Sequence, residues 1–330
     1  MLPQLLTYEG CENALSWPGA IDALRQGHKL VRPQQGDLLL GSGDAKLLNR
    51  AAQIEGLGFV IKGESVFPGN VHKGLPSIQG AVLLYDPHCG SMRAVIESRL
   101  VTQYKTAADS VLAAQYLARP DSRHLVIVGA GMVASTLARA YDAAFPSVER
   151  ISIWSRRPEQ SQALAATLNN IRSEVAAVFD LPTAVGQADI VSAATMSHQP
   201  VVLGQWVRPG THVDLIGAFT PEMREADDSL IASSLVYVDY FDTVVDQIGE
   251  LMQPIQSGVI TRDHVRGDLY DLVAADSPSR RSEKQITLFK NGGGAHLDLM
   301  IAHYIVNAVS AAEASAGERT ERAVVIPARV

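Results

Sequence analysis

The sequence predicts an α/β protein in which a doubly wound parallel sheet is joined to a second, α+β domain. Three observations predict it. Strand-like apolar runs alternate with helical stretches from about residue 125 to about residue 240, the pattern of a parallel sheet covered by helices on both faces. A glycine-rich turn, Gly129-Ala-Gly131-Met-Val-Ala134, stands directly between one such run and one such helix. The first hundred residues are mainly strand-like, and a length of 330 residues suits two domains.

Taken in order, one early helix is expected around Trp17–Val31. The apolar runs Asp37–Leu40, Gly58–Ile61 and Gly80–Tyr85 read as strands, with Gly36-Asp37 and Asp86-Pro87 as turns. Thr106–Leu117 carries Ala107, Val111, Ala114 and Leu117 at helical spacing and stops before Pro120. Strands follow at Leu125–Val128, Arg150–Trp154, Ile190–Ala194, His212–Ile216 and Leu235–Val238, with helices at Val133–Ala144 and Pro158–Leu168. A long amphipathic helix is expected over Gly294–Ala316, with a polar tail loosely held after Gly317. One domain is placed at residues 1–110, completed by about 306–330, and the other at 111–305.

Composition excludes several classes. With 47% hydrophobic and 19% charged residues the chain folds around a large core. A net charge of −7 offers no field to phosphate backbones or anionic lipid, so neither nucleic acid nor a membrane is the expected partner. Two cysteines, Cys11 and Cys89, without C-x-x-C spacing argue against a zinc site or a disulfide framework. Met1–Gly10 has no basic stretch leading into an apolar one, and no apolar run reaches the roughly 18 residues of a membrane span. A cytoplasmic protein is expected.

The glycine-rich turn is a Rossmann dinucleotide fingerprint in its confirming context, after Leu125-Val-Ile-Val128 and opening a helix. Gly129 permits the tight turn, Gly131 lets backbone approach a pyrophosphate, and Ala134 allows close helix–strand packing. The helix N-terminus, Met132 and Val133 included, supplies oriented N–H groups. About 25 residues after Gly129, Ser155-Arg156-Arg157 replaces the acidic residue usual for NAD. Arginine there accommodates a 2′-phosphate, so NADP(H) is the preferred cofactor and NAD(H) the other candidate. A basic turn before a helix capped by Ser155 and Pro158 is the plainer reading. Thr106, Ala194 and Thr195 complete the expected cofactor set.

Four stretches together carry a family resemblance. They are Gly58–Asn70, Leu75–Gly80, Leu100–Ala108 and the fingerprint itself, and over residues 30 to 310 the chain resembles the ornithine cyclodeaminase/mu-crystallin family. The resemblance implies a homodimer. Its β-rich first domain, completed by C-terminal helices, would provide the interface and the substrate site, and the cofactor domain would be inserted between. Family members reduce imines of amino acids, oxidise an amino acid, or convert ornithine to proline using NAD catalytically.

Lys62 matches the family's lysine beside the substrate carboxylate and Asn70 its asparagine; Ser77 joins the expected substrate set. An ammonium there can pair with a carboxylate or give a proton to a developing amine. The bland reading of Lys62 is a strand lysine on a wet face. Lys105 stands where the family commonly has arginine, leaving a single-point contact in place of a bidentate fork. Its bland reading is a lysine at a helix start, opposed by the dipole. Phe219 stands where cyclodeaminases carry an aspartate for proton transfer. The leading expectation is therefore reduction of a small cyclic imino acid, of the Δ1-pyrroline-2-carboxylate or ketimine type. Ornithine cyclodeaminase and a nicotinamide-dependent protein that binds a small ligand without turnover are the alternatives.

His296, in Asn291-Gly-Gly-Gly-Ala-His-Leu-Asp298, is a candidate substrate contact or simply part of a helix start, and Asp298 could cap or orient. His72 and His88 read as solvated. Asp239, Asp242 and Asp246 read as solvated carboxylates on one helix face rather than a metal cluster, and Trp154 and Trp206 as packing residues.

Overall fold

A computed structural model describes residues 2–42 and 45–324. The chain divides into two compact units, the first made of Met1–Ala23, Pro33–Thr102 and Ala295–Val330, the second of Leu24–Arg32 and Gln103–Gly294. The return to the first unit thus falls at Ala295, earlier than the expected position near residue 306. The early helix ends at Gly27, short of the expected Val31.

The first unit holds a six-stranded sheet of β1 (Gln4–Leu6), β2 (Gln34–Leu40), β3 (Lys46–Ile54), β4 (Gly58–Val66), β5 (Ile78–Tyr85) and β6 (Met92–Glu97). Their order is β1-β6-β5-β4-β3-β2, antiparallel except for the β1–β6 pair. Side chains alternate across a strand. On β4 this buries Gly58, Val60, Lys62 and Glu64 and leaves Phe59 and Ile61 exposed. The C-terminal helix, Ala295–Val324, packs on β3, β4 and β5. The helix runs past Gly317, so the tail expected to be loose is helical as far as Val324; residues 325–330 lie outside the described residues. Gly36-Asp37, expected as a turn, lies inside β2, paired with Ala51 and Arg50 of β3.

The second unit holds β7 (His124–Val128), β8 (Arg150–Trp154), β9 (Glu174–Ala177), β10 (Ile190–Ala193), β11 (His212–Leu215), β12 (Leu235–Val238), β13 (Val265–Asp268) and β14 (Thr287–Lys290). All eight are parallel, in the order β13-β12-β14-β11-β10-β7-β8-β9. β7, β10, β11 and β14 are buried along their whole length, as strands covered on both faces must be. The chain winds outward from β7 through β8 to β9, then returns to β10 on the other side of β7. The C-terminal ends of β7 and β10 therefore flank a topological switch point, where open α/β sheets bind ligands.

One helix is longer than its apolar spacing indicates. Ser98–Leu117 begins two turns before Thr106, because the polar residues Arg99, Thr102 and Gln103 interrupt the pattern in its first turns. Lys105 consequently sits mid-helix, and the dipole penalty of a helix start does not apply to it. No helix among the described residues is long and apolar enough to cross a membrane.

Candidate functional site

At the switch point the backbone makes a phosphate cradle. Gly129 adopts φ of 131°, which side-chain-bearing residues avoid, and a Cβ there would lie 2.6 Å from the Ala194 carbonyl oxygen at the end of β10. Gly131 is the N-cap of the helix Met132–Ala144 and gives it no side-chain cap. A Cβ built on Gly131 meets nothing within 4 Å. No atom of the described residues fills that space, and the first helical N–H groups, led by the exposed Met132 and half-buried Val133, remain for an anion. Ala134 is fully buried against the sheet. These residues fit the pyrophosphate of a dinucleotide.

After β8, Ser155 is buried. Its Oγ donates to the Arg157 carbonyl at 3.0 Å and accepts from the Arg157 N–H at 3.1 Å. Ser155 therefore closes a local turn and does not cap the following helix, Pro158–Thr167, whose N-cap is Arg157. Arg156 and Arg157 are exposed, and neither guanidinium has a hydrogen bond or ion pair among the described residues. Trp154 and Trp206 pack on the core of this unit.

Thr195 follows β10, and its N–H and Oγ both donate to Glu225 Oε1, at 2.6 and 2.7 Å; Gly217 donates its N–H to Glu225 Oε2 at 2.6 Å. Those bonds favour the ionised carboxylate, but burial, with Glu250 beside it, outweighs them and pushes Glu225 up to about 7. Burial likewise lifts Asp214 to about 7, although Ser110 and Ser192 donate to it at 2.9 and 2.6 Å. Lys290 is fully buried, donates to the Leu215 carbonyl at 3.0 Å, and is pushed down by burial despite the acids around it. Thr106 offers its carbonyl to Asn291 Nδ2 at 3.1 Å, and Lys105, buried, places its charge one turn before Asp109. Neither oxygen of the fully buried Asp109 has a hydrogen-bond partner among the described residues. Burial raises its carboxyl well above the usual range, with Asp239 and Asp214 adding to the shift.

In the first unit the sheet brings Lys62 together with groups far along the chain. Lys62 is only 4% exposed, so the wet-face reading is overturned. Its Nζ donates to Thr102 Oγ1 at 2.7 Å and lies 3.2 Å from Glu64 Oε2 and 3.6 Å from Asp298 Oδ1. Glu64 faces Gly80 across β4 and β5, where a Cβ would come within 2.8 Å of the Glu64 Cα. Asn70 Nδ2 donates to the Pro76 carbonyl at 3.1 Å, and the Ser77 carbonyl accepts from the Phe67 N–H at 2.7 Å. Both hold the loop between β4 and β5. His296 is buried, with Nδ1 3.3 Å from Gln35 Oε1.

Glu64, Asp109 and Glu225 are not singled out by sequence reasoning. The only signal for Glu64 is its period-two spacing from Lys62. Asp239 needs correction: it is fully buried, not solvated, and accepts the N–H groups of Tyr240, Gly292 and Gly293, tying down the glycine-rich turn. Asp246 is exposed and paired with Arg262. His72 and His88 are exposed, and Phe219 is 57% exposed.

Comparison with known proteins places this geometry. A Δ1-pyrroline-2-carboxylate reductase of Paracoccus denitrificans (strain Pd 1222) is 57% identical over 308 residues, 93% of this chain and 98% of the relative. The solved structure of Thermococcus litoralis Δ1-pyrroline-2-carboxylate reductase with NADH and L-proline superimposes with a TM-score of 0.87 at 27% identity, covering 94% of this chain and 98% of that one. An archaeal alanine dehydrogenase dimer with bound NAD also gives a TM-score of 0.87, at 25% identity over 95% of this chain and 98% of the other. The model of the ornithine cyclodeaminase/mu-crystallin family matches residues 51–313, and the chain belongs to that family.

Proposed function

We propose that this protein reduces a small cyclic imino acid, of the Δ1-pyrroline-2-carboxylate or ketimine type, to the amino acid, with NADPH preferred to NADH. The observation that carries this reading is Lys62. A lysine taken out of water needs compensation that an apolar residue would not need, and a strand needs no charge at that place for folding. A protonated amine held on Thr102, Glu64 and Asp298 can meet a carboxylate or protonate a nitrogen. When bound, the reduced nicotinamide supplies the hydride for the imine carbon. Lys62 and Lys105 are the ammonium groups offered to the substrate, with Asn70, Ser77 and His296 completing the substrate set.

Phenylalanine at position 219 supports reduction over cyclodeamination, because that side chain moves no proton. The substrate class draws support from the relative of 57% identity. The exposed guanidinium groups of Arg156 and Arg157 support the 2′-phosphate preference. We further propose a homodimer through the outer face of β2, β3 and β4, where Leu38, Leu40, Leu47, Phe59 and Ile61 are all exposed. Its compartment in this reading is the cytoplasm, where thiols such as Cys11 and Cys89 stay reduced.

The test is the initial rate of NADPH and of NADH oxidation with Δ1-pyrroline-2-carboxylate, in the wild type and in Lys62→Ala. A rate that is higher with NADPH and collapses in the variant is expected. Intact cofactor binding with no turnover on any cyclic imino acid would overturn the reading.

A further inference from the structure

The paired register of β10 and β11 ends at Ala193 and Leu215, and two residues past that pair stand Thr195 and Gly217. They touch, since a Cβ on Gly217 would lie 1.6 Å from the Thr195 carbonyl oxygen. Both N–H groups donate to one carboxylate, Thr195 to Glu225 Oε1 and Gly217 to Oε2, each at 2.6 Å. The Thr195 hydroxyl adds a third bond, to Oε1 at 2.7 Å. Glu225 is itself held, because its own N–H and that of Ala226 donate to Glu250 Oε2 and Oε1 at 2.8 Å.

Folding alone is poorly served by this arrangement. Glu225 and Glu250 are both fully buried, and Lys290, also buried, offsets part of their charge. Two carboxylates side by side out of water are costly, whereas carbonyl oxygens would satisfy the same N–H groups without a charge. The location gives the cost a purpose. Ala194, one residue before Thr195, carries the carbonyl that Gly129 of the phosphate cradle approaches. A dinucleotide straddles the switch point of such a sheet. With its pyrophosphate at the cradle and its adenosine half beyond β8, the nicotinamide half falls on the side of β10 and β11.

We propose, on the reading that the protein uses a nicotinamide dinucleotide, that Glu225 is the positioning residue for the nicotinamide half: its carboxylate locks the loops after β10 and β11 together. Three donors converge on its two oxygens, and a carboxamide has only one oxygen to accept them. Glu225→Gln therefore sets the amide N–H groups against either Gly217 or Thr195, and the two loops lose their common anchor.

The experiment titrates the full-length wild type, Glu225→Gln and Glu225→Asp with NADH and with ADP-ribose, which lacks the nicotinamide. Calorimetry at pH 8.5 keeps the wild-type carboxylate ionised, above the value of about 7 to which burial lifts it. Glu225→Gln is expected to bind NADH about tenfold or more weakly, the scale of a buried donor left without its acceptor, and to bind ADP-ribose as the wild type does. Glu225→Asp keeps both acceptor oxygens on a shorter stem and should lie between. Equal weakening of both ligands, or of neither, in a folded variant overturns the proposal, since a merely structural role does not single out the nicotinamide. Amide exchange followed by NMR in the unliganded wild type needs no variant to fold. There the Thr195 and Gly217 amides should exchange about a hundredfold or more slower than those of an unstructured peptide, and exchange at the peptide rate overturns the lock. A protein that shows the split between NADH and ADP-ribose yet reduces no imine supports the role of Glu225 and overturns the assigned substrate alone.

Discussion

Gly129 and Ala194 meet across the switch point of the parallel sheet, where a methyl group at position 129 would lie 2.6 Å from the Ala194 carbonyl oxygen. The φ of 131° adds backbone strain to that clash for any other residue. At Gly131 φ is −89° and the space beyond Cα is open. The two glycines therefore fail differently. Gly129→Ala should destabilise the fold by about 2 kcal/mol or more. Gly131→Val should cost about 1 kcal/mol or less, yet weaken NADPH binding tenfold or more by filling the phosphate space. Urea unfolding and fluorescence titration with NADPH separate the two, and a Gly131→Val protein that binds normally would refute the cradle.

Arg156 and Arg157 carry no fold interaction through their side chains among the described residues, so replacing them leaves folding untouched. The Arg156→Ala/Arg157→Ala double variant should keep its stability within about 0.5 kcal/mol of wild type. Affinity for NADPH should fall about tenfold or more, the scale of a hydrogen bond to a charged group, while NADH affinity stays. Equal losses for the two cofactors would place the 2′-phosphate elsewhere.

The parts of this protein legible in its sequence are those whose cause is local. β8 and β12 match expectation to the residue because apolar runs bounded by turns define them. The phosphate cradle is legible because its glycines, turn and helix start are consecutive residues. β3 is not, since only Ala52 and Ile54 of its nine residues are buried. The cluster at Lys62 is hidden for another reason. Asp298 reaches it only because the C-terminal helix lies on the inner face of the first sheet, and no local pattern encodes that return. Asp239 shows the same limit: the spacing of a solvated helix face is also that of an acid buried under a turn 53 residues later.

Asp214 gives stability a measurable pH dependence. Burial raises its carboxyl to about 7 in the folded protein, from an ordinary value of 3.8. The folded state thus binds more protons in that window, and the group's contribution is fully present below pH 3.8 and lost as pH rises through 7. Asp214→Asn cannot titrate. The stability of wild type minus that of the variant should decline with rising pH across this window, by at most about 1.4 kcal/mol per unit. Urea unfolding of both proteins at several pH values measures it, and a pH-independent difference would mean that Asp214 stays ionised in the fold.

Phe59 and Ile61 point away from the inner face of β4, while Val60 and Lys62 between and beside them point into it. A charge placed at positions 59 and 61 therefore reaches the outer sheet face without entering the Lys62 cluster. In the proposed homodimer, Phe59→Asp/Ile61→Asp would bury two carboxylates per protomer against apolar side chains, each costing several kcal/mol if unpaired. The variant should elute as a monomer by size-exclusion chromatography with light scattering, against a wild-type dimer. Its far-ultraviolet circular dichroism should be unchanged, since both side chains are already 40% or more exposed within one protomer. A wild-type monomer, or a variant that stays dimeric, would remove this face of β4 from the subunit contact.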